Sequence, residues 1–370
     1  IGLLPFVLSG CSRAPATTQA APSRIDIAFS RPLLSPSAVY VAPDGKAAAY
    51  LDSSGKLLIM SDSGERVGSY LMEGAGKGAI SNGGQRAILC GISHGRWELR
   101  VIRGNGTQIW RQWLEGAVTD VAITPDGRTA FAAQANARVY IFDLSQHLKP
   151  RWRRIRASYA FSRLVYSEKM DAMIVQTANP LGFGVSDLDG QMRWWKPQPP
   201  GRFSLETGAN GSLILTMIGR LSPEPGVEVS LYDTSGTKLF GRQIQGFDSR
   251  AEIAADGRAV AVSFRAKLTH KNKSVMERRV ALWSVDGRTL WEQGGLFFRP
   301  VLQGLTGDPL GVLVAEDYKL LSGLDNTGRL AWRGPELQAS LRDLVHDESW
   351  RLAWAQYTNG RLELWKLQEP

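Results

Sequence analysis

A turn-like segment that ends in glycine recurs along the chain, and its regular spacing constrains the fold more than any other feature. The segments read DSG, GNG, LDG, TSG, VDG and NTG, and their glycines are Gly64, Gly106, Gly190, Gly236, Gly287 and Gly328. The separations are 42, 84, 46, 51 and 41 residues, and 84 is twice 42. A period of roughly 40 to 50 residues is typical of propeller blades rather than of helical solenoids.

An aromatic residue follows five of the six glycines at a fixed distance of four positions. These residues are Trp110, Trp194, Phe240, Trp291 and Trp332, whereas Gly68 takes this place in the first unit, with Tyr70 nearby. A large apolar ring at one offset from a turn indicates equivalent packing sites between neighbouring blades. We therefore predict that the five aromatic residues are structural blade-docking residues.

A second element alternates with the first and reads as a β-hairpin. Its clear copies are VYVAPDGKAAAYL from residue 39, VTDVAITPDGRTAFAA from 118 and AEIAADGRAVAVSF from 251, and looser copies begin near 77, 163, 204, 299 and 341. β-Branched and small apolar residues flank an Asp-Gly-like turn, where glycine accepts the positive φ that such turns require. Outer segments such as LLIMSD and RVYIFD alternate as half-buried strands do.

Together these elements predict an all-β protein, a β-propeller of eight four-stranded blades. Seven blades is the alternative, because the units around SEKMDAMIVQT and LTGDPLGVLVA are degenerate. The eighth unit ends just after LELWKL and lacks an outermost strand, which residues 24–30, RIDIAFS, can supply. Pairing the N-terminal strand with the C-terminal blade closes the ring and removes exposed sheet edges.

The first 24 residues lack the repeat pattern of the rest of the chain, and their sequence predicts that the protein is exported. Residues 1–10, IGLLPFVLSG, are apolar but shorter than the roughly 20 residues that span a bilayer, and they resemble the second half of a secretory signal peptide truncated at its start. The motif Leu8-Ser9-Gly10-Cys11 resembles the lipobox of bacterial lipoproteins, which implies a lipid on Cys11. The alternative is a chance cysteine behind an ordinary secretory signal.

The domain division follows from this interpretation. Residues 1–10 form a partial lipoprotein signal peptide, residues 11–24 the lipidated cysteine and a flexible Ala-, Pro- and Thr-rich tether, and residues 25–370 a single propeller. Ser12 occupies the position directly after the lipidated cysteine, and a serine there resembles lipoproteins that are sorted to the outer membrane of a Gram-negative cell. The predicted location is therefore the bacterial cell envelope, lipid-anchored at the outer membrane and facing the periplasm.

The repeats themselves resemble known propeller families. The segments SDLDGQMRWW, YDTSGTKLF, SVDGRTLW and LDNTGRLAW are similar to the tryptophan-docking repeat of quinoprotein-like (PQQ-like) eight-bladed propellers, and the inner PDG pattern resembles WD40-like blades. Anchor, blade number and repeat are similar to those of the propeller lipoprotein of the outer-membrane β-barrel assembly machinery. This resemblance implies protein binding in the envelope, whereas quinoprotein alcohol dehydrogenases carry an adjacent Cys-Cys pair that this chain lacks.

Residues that could support catalysis are sparse. Cys90 lies in the apolar segment RAILCGI and is expected in the core, and the histidines His94, His147, His270 and His346 have no second histidine nearby. The aspartates of the turns occupy equivalent hairpin corners, where they accept backbone hydrogen bonds; they include Asp44, Asp126, Asp189, Asp256 and Asp286. We therefore expect no catalytic residue, metal site or cofactor, although a ligand or enzyme site in the central channel is the alternative.

Two basic segments stand out in a chain with a net charge of +9. The first, KPRWRRIR at 149–156, is predicted to run along the outermost strand of the third blade, where arginines discourage pairing with another chain. The second, RAKLTHKNKSVMERR at 265–279, is longer than a hairpin connection needs and is predicted to project opposite the Asp-Gly turns.

Basic and aromatic residues on one face are typical of protein-binding surfaces. The candidate partner-binding residues are Lys267, Lys271, Lys273, Arg278, Arg279, Phe297 and Phe298. The alternative is a solvated insertion with inward-facing aromatic rings. The predicted function is a non-catalytic, monomeric scaffold that binds envelope proteins or peptide segments but not nucleic acid.

Overall fold

The chain forms eight antiparallel sheets of four strands each, as seen in a computed structural model. The structure describes residues 24–368 apart from short gaps at 33–37, 146–150, 199–202, 209–210, 221–225, 246–248, 255, 271–272, 295–299, 306–310, 317–319, 338 and 347–351. In this part of the chain the one helical element is a single 3₁₀ turn, Asn82–Gly84. None of the described helices is long and apolar enough to cross a membrane.

Each blade contributes four strands in chain order from the centre outwards, apart from the eighth. The innermost strands are β2 (Ala38–Val41), β6 (Ala75–Ile80), β10 (Val118–Ile123), β14 (Ala160–Ser167), β18 (Phe203–Gly208), β22 (Arg250–Ile253), β26 (Pro300–Leu305) and β30 (Leu341–His346). The second strands are β3 (Ala47–Leu51), β7 (Arg86–Ser93), β11 (Thr129–Gln134), β15 (Ala172–Asn179), β19 (Leu213–Arg220), β23 (Ala259–His270), β27 (Val312–Glu316) and β31 (Leu352–Tyr357).

The third and outermost strands complete each sheet. The third strands are β4 (Lys56–Ser61), β8 (Arg96–Arg103), β12 (Arg138–Asp143), β16 (Leu181–Ser186), β20 (Gly226–Asp233), β24 (Lys273–Ser284), β28 (Leu320–Leu324) and β32 (Arg361–Gln368). The outermost strands are β5 (Arg66–Leu71), β9 (Gln108–Leu114), β13 (Arg151–Arg156), β17 (Met192–Pro197), β21 (Lys238–Gln245), β25 (Thr289–Gly294), β29 (Leu330–Glu336) and β1 (Arg24–Pro32).

Strand β1 closes the ring as predicted. It pairs with β32 from Arg24↔Gln368 to Pro32↔Arg361, so the first and last described strands lie side by side in the eighth blade. The prediction of eight blades is confirmed, and the two degenerate units form the complete fourth and seventh blades. Because the first and last described strands share one sheet, unfolding this blade must open the ring.

The core lies between the blades, because every sheet packs against its two neighbours. All five residues of β3, AAAYL, are buried, and one cluster joins Ile59 and Met72 of the first blade to Leu89 and Ile102 of the second. Small alanines and β-branched residues suit strands whose two faces are both covered. This packing buries the middle of each blade and leaves its ends and outer edge for interactions.

The two faces of the disc carry different connections. At one end of the strands the inner and outer turns of a blade meet, since Asp62 N–H donates to Lys46 O over 3.1 Å. The inner turns of neighbouring blades also meet there, since Asn82 N–H donates to Pro125 O over 2.8 Å. We call this the turn face. The opposite end, the linker face, carries the chain between blades and the connections between second and third strands, such as Gly55, whose carbonyl accepts from Met72 N–H over 3.0 Å.

Candidate protein-interaction surface

The sixth blade carries the longest strands of the propeller, and they project from the linker face. β23 and β24 are 12 residues each, whereas the other second and third strands are between 5 and 8 residues long. Their ladder continues without interruption from Ala259↔Ser284 to His270↔Lys273. The basic segment 265–279 was expected to be a long connection between the second and third strands, and this interpretation was wrong because its described residues continue the strands themselves. We call the part from Arg265 to Arg279 the extended hairpin.

The extended hairpin outgrows the strands beside it. β25 reaches only to the pair Arg279↔Gly294, and β22 reaches only to the pair Arg250↔Ser263. A two-stranded ribbon that leaves its sheet presents side chains on both faces. Met276, which pairs with Lys267 midway along this ribbon, has 52% of its surface exposed.

Two glutamates fix the base of the extended hairpin. Arg279 lies 3.0 Å from Oε2 of the buried Glu277 and 2.5 Å from Oε1 of Glu292 on β25. The hydrogen bond that Arg279 donates to Glu292 is the main reason that the pKa of Arg279 lies above its ordinary value, since a carboxylate stabilises the charged guanidinium. Arg279 therefore anchors the hairpin to its blade.

The other predicted partner-binding residues are placed as follows. Arg278 is half-buried and pairs with Arg265 in the ladder, Lys267 pairs with Met276, and Lys273 pairs with His270. Lys271, Phe297 and Phe298 lie outside the described residues, as does the lipidation candidate Cys11. The structure thus places Lys267 midway along one projecting ribbon and Lys273 at its last described pair.

The first basic segment forms the outermost strand of the third blade, as the sequence predicts. The side chains of β13 are exposed at five of six positions, and Trp152 retains 47% of its surface while its ring lies 5.6 Å from that of Tyr140. Arg153 pairs with Asp189 of the next blade, and Arg154 lies 2.7 Å from Oε2 of Glu115. This edge is a second basic and aromatic surface.

A cavity of about 410 Å³ opens at the centre of the turn face. Its walls come from the first five blades and combine apolar side chains with Asp44, Asn82, Tyr166, Glu168 and Thr207. Tyr166 donates to Asp171 over 2.9 Å, and burial is the first cause that raises the pKa of its phenol to about 12. The cavity could hold a small molecule or a side chain of a partner.

Charged side chains of the innermost strands join neighbouring blades, and sequence analysis did not single them out. Asp120 Oδ2 accepts from Leu164 N–H over 2.8 Å, and Arg163 donates to Leu205 O over 2.6 Å. Burial raises the pKa of Asp120, against the opposing effect of its backbone hydrogen bonds. The one available signal was spacing, because Lys77, Asp120 and Arg163 follow one another at intervals of 43 residues.

Cys90 and the turn aspartates occupy structural positions. Cys90 is fully buried, and burial raises the pKa of its thiol to about 12. Asp44 and Asp126 accept backbone hydrogen bonds from Lys46 and Arg128 within their own turns. Of the histidines that the sequence analysis considered, His346 has a carboxylate partner: its Nε2 lies 2.6 Å from Oε1 of Glu252, two blades away. No group of three or more His, Cys, Asp or Glu side chains in the described part of the chain is arranged to hold a metal ion.

The repeated aromatic residues lie at the boundaries between blades. Trp194 donates from Nε1 to Thr234 O over 2.8 Å, and its ring covers Gly236 of the next blade. Phe240 covers Gly287 and Trp291 covers Gly328 in the same way. Trp110 meets Phe142 with ring centres 5.2 Å apart, and Trp332 packs against the core between the seventh and eighth blades.

The fold places the chain among known propellers. No protein-family model matches it, and no curated protein matches it in sequence. Among solved structures, the Dos1 propeller is 12% identical with a TM-score of 0.67, covering 96% of this chain and 97% of that one. BamB from Moraxella catarrhalis is 14% identical with a TM-score of 0.58, covering 94% and 99%.

A third solved structure extends the comparison to another organism. Sqt1 of Saccharomyces cerevisiae is 10% identical with a TM-score of 0.64, covering 92% of this chain and 98% of that one. At these identities the similarity establishes the propeller fold and leaves activity to be argued from the surface.

Proposed function

We propose that this chain is a non-catalytic protein-binding scaffold of the bacterial cell envelope, anchored to a membrane by a lipid on Cys11. The observation that carries the proposal is the extended hairpin, because its strands outgrow the blade while the rest of the disc has short connections. A projecting ribbon contributes little to the core. Its length, exposed Met276 and lysine positions are therefore better explained by contact with a partner.

The course of the chain supports an orientation in which the turn face of the propeller is directed towards the membrane anchor. β32 runs from the linker face to the turn face, so Arg24, which pairs with Gln368, begins β1 at the turn face. A tether attached there can reach up to about 45 Å for 13 residues. The extended hairpin projects from the opposite face, where it can meet a partner while the turn face is directed towards the anchor.

The similarity to BamB from Moraxella catarrhalis is compatible with this proposal at the level of fold. Together with the lipobox resemblance of residues 8–11, it favours an outer-membrane lipoprotein that faces the periplasm. The partners we propose are envelope proteins or extended peptide segments.

The proposal is tested by shortening the extended hairpin without changing the register of the blade. Replacing residues 267–276 with Asn-Gly joins Ala266 to Glu277 and removes whole cross-strand pairs. The matched control is His94→Asn, which creates the same Asn-Gly turn between β7 and β8 of the second blade, two strands of 8 residues each. Both turn residues, His94 and Gly95, already have positive φ.

Capture of partners in cells provides the readout. Full-length protein with a C-terminal tag is crosslinked in the native envelope and purified beside both variants and Cys11→Ala. We expect the control variant to recover the same stoichiometric envelope partner as the parent chain and the shortened variant to lose it. We expect Cys11→Ala to lack the lipid by intact mass and to leave the membrane fraction. Equal recovery by the shortened variant would remove the hairpin from the function.

A second candidate function is supported by the cavity on the turn face. Its volume of about 410 Å³ and mixed apolar and polar lining fit a small ligand. Absorbance spectroscopy, metal analysis and native mass spectrometry of purified protein test it, and a stoichiometric chromophore, metal or bound small molecule would place this function first.

A further inference from the structure

The outermost strand of the third blade has an unusually regular edge. β13 pairs with β12 at every position from Arg138↔Arg156 to Asp143↔Arg151. Each of the other seven outermost strands, namely β1, β5, β9, β17, β21, β25 and β29, pairs through at least one register shift. Such bulges twist an edge strand and discourage another strand from pairing with it. β13 lacks this protection.

The backbone of β13 presents hydrogen-bonding groups outwards at three residues. Ala157 N–H donates to Ala137 O over 2.8 Å, which sets the alternation of the ladder. In an antiparallel pair, Ile155, Arg153 and Arg151 then bond towards β12, whereas Trp152, Arg154 and Arg156 direct their N–H and C=O groups away from it. β13 is the last strand of its sheet, so no described strand covers these groups.

Charge distinguishes β13 from the other outermost strands. Its sequence, RWRRIR, has four arginines and no carboxylate, whereas each of the other seven has at most two basic residues. Two copies of this edge repel each other, so the arginines oppose pairing with a second copy of the chain. A strand that carries carboxylates meets no such repulsion.

Carboxylates of the chain itself already approach β13 from both sides. Asp189 pairs with Arg153 on the side of the fourth blade, and Glu115 pairs with Arg154 on the side of the second. The exposed Trp152 adds an apolar surface to the same edge. Because successive side chains of a strand point to opposite faces, an incoming strand of alternating acidic and apolar residues can place its carboxylates on the face of Arg154 and Arg156 and its apolar residues on the face of Ile155.

We propose that β13 is a strand-acceptor site, where an extended acidic segment of a partner protein pairs with the third blade as a fifth strand. This site is separate from the extended hairpin and does not depend on it. The regular backbone edge favours a peptide over an anionic lipid surface, because lipid headgroups attract arginines without requiring aligned N–H and C=O groups.

Two substitutions at Arg154 separate backbone pairing from charge attraction. Arg154→Ala and Arg154→Pro both remove the same guanidinium, but only proline removes the outward N–H. Proline is tolerated at an edge position whose N–H faces solvent. The probe is a short fluorescent peptide of alternating Glu and Val, and its binding to the full-length chain is measured by anisotropy at two salt concentrations.

The expected result is that the peptide binds, that Arg154→Ala weakens binding, and that Arg154→Pro weakens it about fivefold further, as expected for one lost backbone hydrogen bond. Circular dichroism checks that both variants fold. Equal affinities of the two variants, or binding of phosphatidylglycerol vesicles without binding of the peptide, would overturn the proposal. The variant with the shortened hairpin should bind the peptide as the parent chain does, which distinguishes this site from the proposed function.

Discussion

Tyr357 donates a hydrogen bond of 2.6 Å to Oε2 of Glu363, and both side chains are buried in the eighth blade, which β1 closes. The same oxygen accepts from Trp365 Nε1 over 2.9 Å. The other carboxylate oxygen lies 2.8 Å from Arg361 and 3.4 Å from Ser30 Oγ on the closing strand. One buried carboxylate thus connects β32 to both β31 and β1.

Replacing this carboxylate should weaken ring closure. In Glu363→Gln, one oxygen becomes an amide that faces donors, so we expect the free energy of unfolding to fall by about 2–4 kcal/mol. Urea denaturation followed by tryptophan fluorescence measures this loss. The exposed Glu65→Gln is the control, and an unchanged midpoint for Glu363→Gln would show that the carboxylate does not hold the ring closed.

The docking of aromatic rings onto turn glycines predicts a second stability effect. Gly236 has a φ of +83°, and a Cβ there would approach the Trp194 ring within 2.7 Å. Gly95 has a φ of +74° and nothing within 4 Å of its Cβ position. Both alanine variants carry backbone strain of about 1 kcal/mol, but only Gly236→Ala displaces a ring, so it should lose about 1–3 kcal/mol more. Equal melting temperatures of the two variants would contradict this packing role.

The thiol of Cys90 should be unreactive in the folded protein. Burial raises its pKa to about 12, so the thiolate population is very small near neutral pH. We expect a thiol reagent to leave Cys90 of the Cys11→Ala variant unmodified at pH 8 and to modify it rapidly in denaturant. Rapid modification under native conditions, measured by intact mass, would place Cys90 at an accessible position instead.

Acid should remove the stabilising effect of the turn carboxylates. A hydrogen bond from Ser235 is the first cause that lowers the pKa of Asp233, which also accepts from Thr237 N–H over 2.9 Å. Because the folded pKa lies below the unfolded one, this contribution is present above about pH 4 and is lost as the pH falls through the folded pKa.

The non-ionisable variant Asp233→Asn should therefore melt at a lower temperature near neutrality and lose less stability than the parent chain on acidification. Thermal melts between pH 7 and pH 2 provide the measurement, with the exposed Glu73→Gln as a control for net charge. Parallel pH profiles of the parent chain and Asp233→Asn would argue against a role for this carboxylate in acid stability.

Much of the architecture could be predicted from the sequence because it depends on short repeated signals. The positive φ of the turn glycines and the alternation of outer segments fix blade length and blade number. Closure by residues 24–30 followed from a missing strand in the last unit. The fourth blade forms despite a degenerate inner turn because the third blade packs against its Phe161 and Met173.

The sites were harder to predict because they depend on register across strands. The extended hairpin has a polar, basic sequence without a clear strand pattern, so its length was interpreted as a long connection between two strands. The regular edge of β13 requires knowledge of seven bulges elsewhere, and the contact between Asp120 and Leu164 joins residues of different blades. None of these relationships has a local sequence signal.

Photocrosslinking at the extended hairpin tests the proposed scaffold function most directly. A photoreactive amino acid replaces Met276, which is 52% exposed, and in a parallel strain replaces Ile92, which is 50% exposed at the linker-face end of the second blade. We predict that irradiation of living cells yields a discrete protein adduct at position 276 and none at position 92. Absence of an adduct at position 276, or the same adducts at both positions, would contradict a partner-binding role of the hairpin.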